Sequence, residues 1–292
     1  MTLASQASKV AVLAAVVCLA AGVAWAGGHS GILAAGVPLF AWAVAAAFLV
    51  QWIAYVPAQI LRTERFFDAV GSATYILITV ALFVALGEPG PRALMLGIAV
   101  IVWAARLGAF LFLRIRASGS DSRFDEIKGS PLRFFTVWTM QGLWVSLTAS
   151  AAWIAMTSTT QAPLSVSFFV GAALWAGGLA LEVVADAQKS RFRADPANRG
   201  AFISTGLWSW SQHPNYFGEI VVWVGIAVMA LPNLAGWQVV GLVSPVFVVL
   251  LLTRVSGIPL LRQKAEQRWG GDARYREYRR RTSILVPLPP PS

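Results

Sequence analysis

Eight apolar stretches, near residues 9–26, 35–56, 68–86, 92–113, 134–157, 165–187, 216–231 and 236–254, account for most of this chain. Most approach the roughly 20 residues that a helix needs to cross the hydrocarbon core of a bilayer. Lipid offers the backbone no water to bond, so such stretches have to be helical. The connections between them alternate in charge. The second holds Arg62 and Arg65, the fourth Arg114, Arg116, Arg123, Lys128 and Arg133, and the sixth Lys189, Arg191, Arg193 and Arg199. Among bases, the first holds only His29 and the third only Arg92, and the fifth and seventh hold none. After Arg254 the tail is basic from Arg262 to Arg281. The positive-inside rule then puts both termini in the cytoplasm. The expected fold is an all-α, polytopic transmembrane bundle of about eight spans with a cytoplasmic C-terminal helical tail.

Composition fixes the same solvent. Only 12% of the residues are charged, against about 25% in a soluble domain. The net charge of +10 is explained by topology, so no nucleic-acid partner is expected. Cys18 stands alone in an apolar run, which leaves no disulfide framework. His29 and His213 form no ligand pair with metal-binding spacing, so no protein-held metal is expected. Lys9, the first apolar run and Ala24-Trp25-Ala26 also fit a signal peptide, whose removal would leave seven spans. The thin basic region favours a retained span.

The densest polar constellation lies between Gly206 and Gly225, where His213, Asn215, Tyr216 and Glu219 precede an apolar run. Pro214 suits the first turn of a helix, where a missing N–H costs nothing. A helix starting there carries Tyr216 and Glu219 on one face into the membrane. A helix cap with interfacial aromatics would explain Tyr216 but not an acid entering an apolar span. Upstream, Glu182, Asp186, Lys189 and Arg193 are spaced to line one helix face, acids inward and bases at the mouth. Salt-bridged helix ends give the same pattern, but Glu182 is deep in its span. A ligand with phosphates and a polar head would satisfy both ends of the stripe.

Three further places carry polar chemistry. Asp68 opens the third span, with Tyr75 on the same face seven residues on. Arg106 lies inside the fourth span, three residues after Trp103 and about 12 Å of helix short of Arg114. Snorkelling over that length is a long reach, so Arg106 is expected to face the bundle interior. The loop from Gly119 to Pro131 mixes Asp121, Arg123, Asp125, Glu126 and Lys128 and reads as an ordered cytoplasmic loop. After Gly257-Ile258-Pro259 the tail reads as a helix, a Gly270-Gly271 turn and a second short helix with Tyr275 and Tyr278. It either lies on anionic lipid or covers the mouth, offering arginines to phosphates and tyrosines to a ring.

The run His213-Pro214-Asn215-Tyr216-Phe217-Gly218-Glu219, with Asp186, Arg193 and the Tyr275-to-Thr282 tail, resembles the steroid 5-alpha-reductase family. The chain is most similar to bacterial members once classed as a domain of unknown function, the 1295 group, over roughly residues 60–288. The His-Pro-x-Tyr-x-Gly core is shared with sterol reductases and isoprenylcysteine carboxyl methyltransferases; Asn215 and Glu219 tilt it towards the reductases. The resemblance implies an N-terminal pair of spans (1–60), a reductase-like membrane domain (61–292) and a cofactor-binding part at about 182–285. It implies NADPH as cofactor and reduction of a carbon–carbon double bond conjugated to a ketone in a lipid-soluble, steroid- or isoprenoid-like substrate. Carried over, Asp186, Arg193, His213, Asn215, Tyr216, Glu219, Tyr275 and Tyr278 would hold the cofactor. Tyr216, Glu219, Asp68 and Tyr75 would be the catalytic candidates, with Trp103, Arg106 and Glu182 at the substrate pocket. One departure stands out: the steroid enzymes place a tyrosine where Trp103 precedes Arg106, and an indole N–H cannot supply a proton in the same way. A bacterial inner membrane, with the mouth on the cytoplasmic face, is the expected location. An S-adenosylmethionine-dependent membrane methyltransferase is the alternative; a transporter or scaffold is the remoter one, lowered by the lack of an inverted repeat.

Overall fold

The computed structural model describes residues 3–118 and 124–289, which fold almost wholly as helix. In order these are α1 (Leu3–Gly28), α2 (Leu39–Leu61), α3 (Phe67–Leu86), α4 (Pro91–Ser118), α5 (Pro131–Thr157), α6 (Val166–Ala194), α7 (Pro214–Ala230), α8 (Val243–Leu250), α9 (Ile258–Trp269) and α10 (Ala273–Arg281). Between α1 and α2 sits a small hairpin, β1 (Leu33–Ala34) and β2 (Val37–Pro38). Its turn residues Ala35 and Gly36 both have positive φ, the twist that a two-residue hairpin needs. Among the described residues, seven helical stretches are long and apolar enough to cross a membrane, from Ala7–Gly28 to Gly236–Trp269. The chain is an all-α, polytopic membrane protein.

All seven lie where the sequence predicts spans; the eighth expected span, 134–157, is α5, which is not among them. Its glutamine, serine and threonine residues make it less apolar than the others, and its place permits them. Helix α5 packs against α1, α2, α3 and α4, and every residue from Val145 to Thr157 is buried. A helix enclosed by protein needs no lipid-facing apolar surface. It can carry Gln141, Ser146, Thr148 and Ser150, provided that their polar groups are served. Ser146 Oγ donates to Gly142 O at 2.8 Å and Ser150 Oγ to Leu147 O at 2.8 Å.

Two units divide the chain: Met1–Phe168 with Met229–Ser244, and Phe169–Val228 with Pro245–Ser292. Within the first unit the charge alternation has a geometric counterpart. The bare connections meet one another: Ile32 N donates to Thr157 O (2.7 Å) and Thr159 N to Ser30 O (3.1 Å). Arg92 joins this end. It is 1% exposed, and its guanidinium donates to Met229 O (2.5 Å), Pro163 O (2.5 Å), Ser165 Oγ (3.2 Å) and, through Nε, Ala162 O (3.3 Å). The side chain is thus a buried staple rather than the loop charge that its place in the sequence suggests.

The charged connections of the first unit also meet. Lys128 Nζ bonds the Glu64 carboxylate at 3.2 Å and Asp125 at 3.0 Å, and these bonds, Asp125 first, raise the lysine above its usual pKa. Beneath them Phe67, Phe124, Phe134 and Trp138 form an aromatic cluster. Part of the loop expected here is therefore ordered; Asp121 and Arg123 lie outside the described residues. In the second unit Pro214 opens α7, and Gly270-Gly271 separate α9 from α10, both as the sequence predicts.

Candidate functional site

Helices α6 and α7 of the second unit pack antiparallel with their backbones in contact, and glycine makes that possible. A β-carbon on Gly218 would lie 2.7 Å from Gly178 O and 2.8 Å from Glu182 N; one on Gly225 would lie 2.5 Å from Trp175 N. Small residues at such a seam let membrane helices approach more closely than side chains otherwise permit. The approach sets the register of the polar residues. Asn215 Nδ2 donates to Asp186 Oδ1 at 3.1 Å. Glu219 follows Asn215 by one turn on the same face, half-buried, while Glu182 on α6 is 3% exposed beside the Gly218 backbone.

The connection from α6 to α7 folds over the end of α6. Gln188 Oε1 accepts from Leu207 N at 2.9 Å, and Trp208 Nε1 donates to Ala185 O at 3.0 Å. Lys189 Nζ lies 4.3 Å from the centre of the Trp208 ring, a cation–π contact. The tail is tied to the same connection: Gln212 N donates to Ser283 O (2.8 Å), Gln212 Nε2 to Thr282 O (2.7 Å), and Tyr278 Oη to Trp208 O (2.8 Å). Of the two readings of the tail, the cover describes this packing.

These elements enclose a cavity of about 420 Å³, within the about 300–1,000 Å³ common for small-molecule sites. Among the described residues its wall carries six cations, Lys189, Arg193, Arg262, Lys264, Arg268 and Arg279, and no carboxylate. Glu266, outside the wall, pairs with Arg279. Rings complete it: Phe192, Phe202, Trp208, Trp269, Tyr275 and Tyr278. His213 also lines it, stacked on Tyr216 with ring centres 5.5 Å apart and 13° between planes. Its Nδ1 is buried and has no hydrogen-bond partner among the described residues. Burial, and then the charge of Lys189, push this imidazole down to about 4, so it is neutral at physiological pH. Burial raises Tyr275 and Tyr278 above the usual phenol value, keeping both protonated.

The residues singled out from sequence fall into groups. Arg193, His213, Tyr275 and Tyr278 line the cavity; Tyr216 touches it through His213; Asp186, Asn215, Glu219 and Glu182 lie along the α6–α7 seam. Asp68, Tyr75, Trp103 and Arg106 belong to the first unit. There Tyr75 and Trp103 are buried edge to face, 5.3 Å apart, and the Arg106 guanidinium lies 5.5 Å from the centre of the Phe110 ring. Sequence reading missed Phe202, Gln188 and Gln212. Phe202 and Gln212 sit in the irregular α6–α7 connection and Gln188 near the end of α6; the glutamines act through bonds to backbone far along the chain, and Phe202 through the rings of α9 and α10.

The fold and this site define a class: helical membrane proteins that hold a basic, ring-lined cavity in the polar ends of their C-terminal spans. Within it, the chain belongs to the family described as "Protein of unknown function (DUF1295)", which matches residues 54–282. It is also related to 3-oxo-5-alpha-steroid 4-dehydrogenase 1, with 31% identity to the Rattus norvegicus protein over 122 residues, 41% of each chain. The Macaca fascicularis protein of the same name is 32% identical over 122 residues, again 41% of each chain. An uncharacterized protein of Schizosaccharomyces pombe is 24% identical over 178 residues, 51% of this chain and 52% of that one. The chain thus spans about half or less of the curated relatives it matches. No solved structure matches it.

Proposed function

We propose that this protein is an NADPH-dependent reductase of a carbon–carbon double bond conjugated to a ketone, in a lipid-soluble, steroid- or isoprenoid-like substrate. The observation that carries the reading is the cavity wall, with its cations, rings and lack of a carboxylate. Such a wall suits the phosphates and flat rings of NADPH. It opposes S-adenosylmethionine, whose sulfonium would meet cations without a counter-charge. The printed names of the dehydrogenase relatives support the oxidoreductase class. The distribution of bases supports a cytoplasmic mouth.

When bound, NADPH supplies a hydride to the carbon β to the ketone, and a proton completes the α-carbon. The chain binds and orients. Arg193 pairs a phosphate at the mouth. Asp186 holds Asn215, so that Asn215 and Glu219 present polar groups in a fixed register. His213, kept neutral, offers a hydrogen bond without adding charge. The phenol of Tyr216 is the group we assign to polarise the ketone, with the Glu219 carboxylate on the same helix face.

Arg193→Ala and Glu219→Gln are each expected to weaken NADPH binding at least about tenfold, ~1.4 kcal/mol, because each removes a charge-assisted bond. Calorimetric titration of the detergent-purified variants measures this. Wild-type affinity in both would remove the site assignment.

A further inference from the structure

We infer that Phe202 is the stacking wall for the purine ring of the nucleotide cofactor in this cavity. The inference rests on the reading that the cavity takes a nucleotide, and a purine is common to NADPH and S-adenosylmethionine.

Phe202 lies between Gly200 and Gly206, whose φ angles of +88° and +61° fall in the left-handed region that favours glycine. The segment is fastened at both ends. Trp269 Nε1 donates to Gly200 O at 2.6 Å, and Leu207 N to Gln188 Oε1 at 2.9 Å. What it presents is one ring. Phe202 meets Tyr275 at 5.1 Å and 70°, Tyr278 at 5.5 Å and 34°, and Trp269 at 6.0 Å and 64°. Despite these neighbours it is only partly buried, whereas nearby Trp208 is 3% exposed. The ring borders both the cavity and an adjoining hollow walled by Arg199, Arg274 and Glu277.

A partly exposed aromatic ring that lines a basic cavity is a surface on which a flat ring can stack. The phosphate partners stand beside it: Arg193 and Arg268 line the cavity together with Trp269, and all three also line a second hollow next to it. Stacking face and guanidinium groups together provide for both chemistries of a nucleotide, base and phosphate.

The test uses the full chain in detergent, titrated with adenosine 2′,5′-bisphosphate and, separately, nicotinamide mononucleotide, the two halves of NADPH. Phe202→Leu keeps an apolar side chain but removes the ring. It is expected to weaken the bisphosphate and NADPH about tenfold, leave the mononucleotide unchanged, and melt without ligand within about 2 °C of wild type. Phe202→Trp should retain binding. Wild-type affinity of Phe202→Leu for the bisphosphate overturns the inference. Should Phe202→Leu lose its melting transition, Phe202→Met and Phe202→Trp decide: binding by the tryptophan variant alone supports the stacking role, and equal binding overturns it. If the wild type takes S-adenosylmethionine and not NADPH, the reductase reading fails, and the same loss in Phe202→Leu, read on that ligand, still supports the stacking wall. If the wild type binds neither, both fall.

Discussion

Arg92→Leu is expected to lower the melting temperature by roughly 5–10 °C. The guanidinium donates to three backbone carbonyls and one hydroxyl from the α5–α6 connection and the end of α7, and it stands 5.6 Å from the centre of the Phe168 ring. Leucine would fill part of the volume and leave the buried Met229 carbonyl without its donor, at about 1–3 kcal/mol, while the acceptors of Ala162, Pro163 and Ser165 are open to water in part. With the bonds of the 1%-exposed guanidinium itself, the loss is about 2–4 kcal/mol. Arg92→Lys keeps the charge but cannot span the same fork of acceptors, so it should fall between the two. Differential scanning fluorimetry in detergent reads all three. A leucine variant melting with the wild type would mean that Arg92 is not the staple of that end.

Gly218→Val is expected to lose NADPH binding by well over tenfold and to destabilise the second unit by about 1–3 kcal/mol, the usual cost of overpacking. The first added carbon would meet backbone of α6 on both sides, Gly178 O and Glu182 N, and backbone cannot turn aside as a side chain can. The helices must part, and Asn215 then leaves Asp186. Gly177 provides the control. It is the immediate neighbour of Gly178, yet an added β-carbon there meets nothing within 4 Å, so Gly177→Ala should bind and melt as wild type. Equal behaviour of Gly218→Val and Gly177→Ala would sink the seam as the element that sets the site.

Much of this was legible in the chain because lipid makes strong demands. Apolar length located the spans, Pro214 marked the start of α7, and Gly270-Gly271 marked the break in the tail. The i, i+4, i+7, i+11 spacing of Glu182, Asp186, Lys189 and Arg193 gave a stripe whose outer members line the cavity. What was hidden has one physical character: its partners lie far along the chain. Arg92 is a single base in a bare connection, and nothing in its neighbours says that carbonyls from 162, 163 and 229 converge on it. Phe202 lies among loop residues, and only the fold of Gly200 and Gly206 turns it towards three rings. The length of helix α5 was legible, but its Gln141, Ser146, Thr148 and Ser150 were not read as the mark of an enclosed helix. Which four helices enclose it could be read only from their packing.

The cavity assignment is tested most directly by titrating the purified wild-type protein with NADPH and with S-adenosylmethionine separately, following its melting temperature. A ligand that binds only the folded state raises stability by mass action, about 2.7 kcal/mol at a hundred times its Kd. A rise with NADPH and none with S-adenosylmethionine is the predicted result. A rise with S-adenosylmethionine alone would contradict the account and make this chain a membrane methyltransferase.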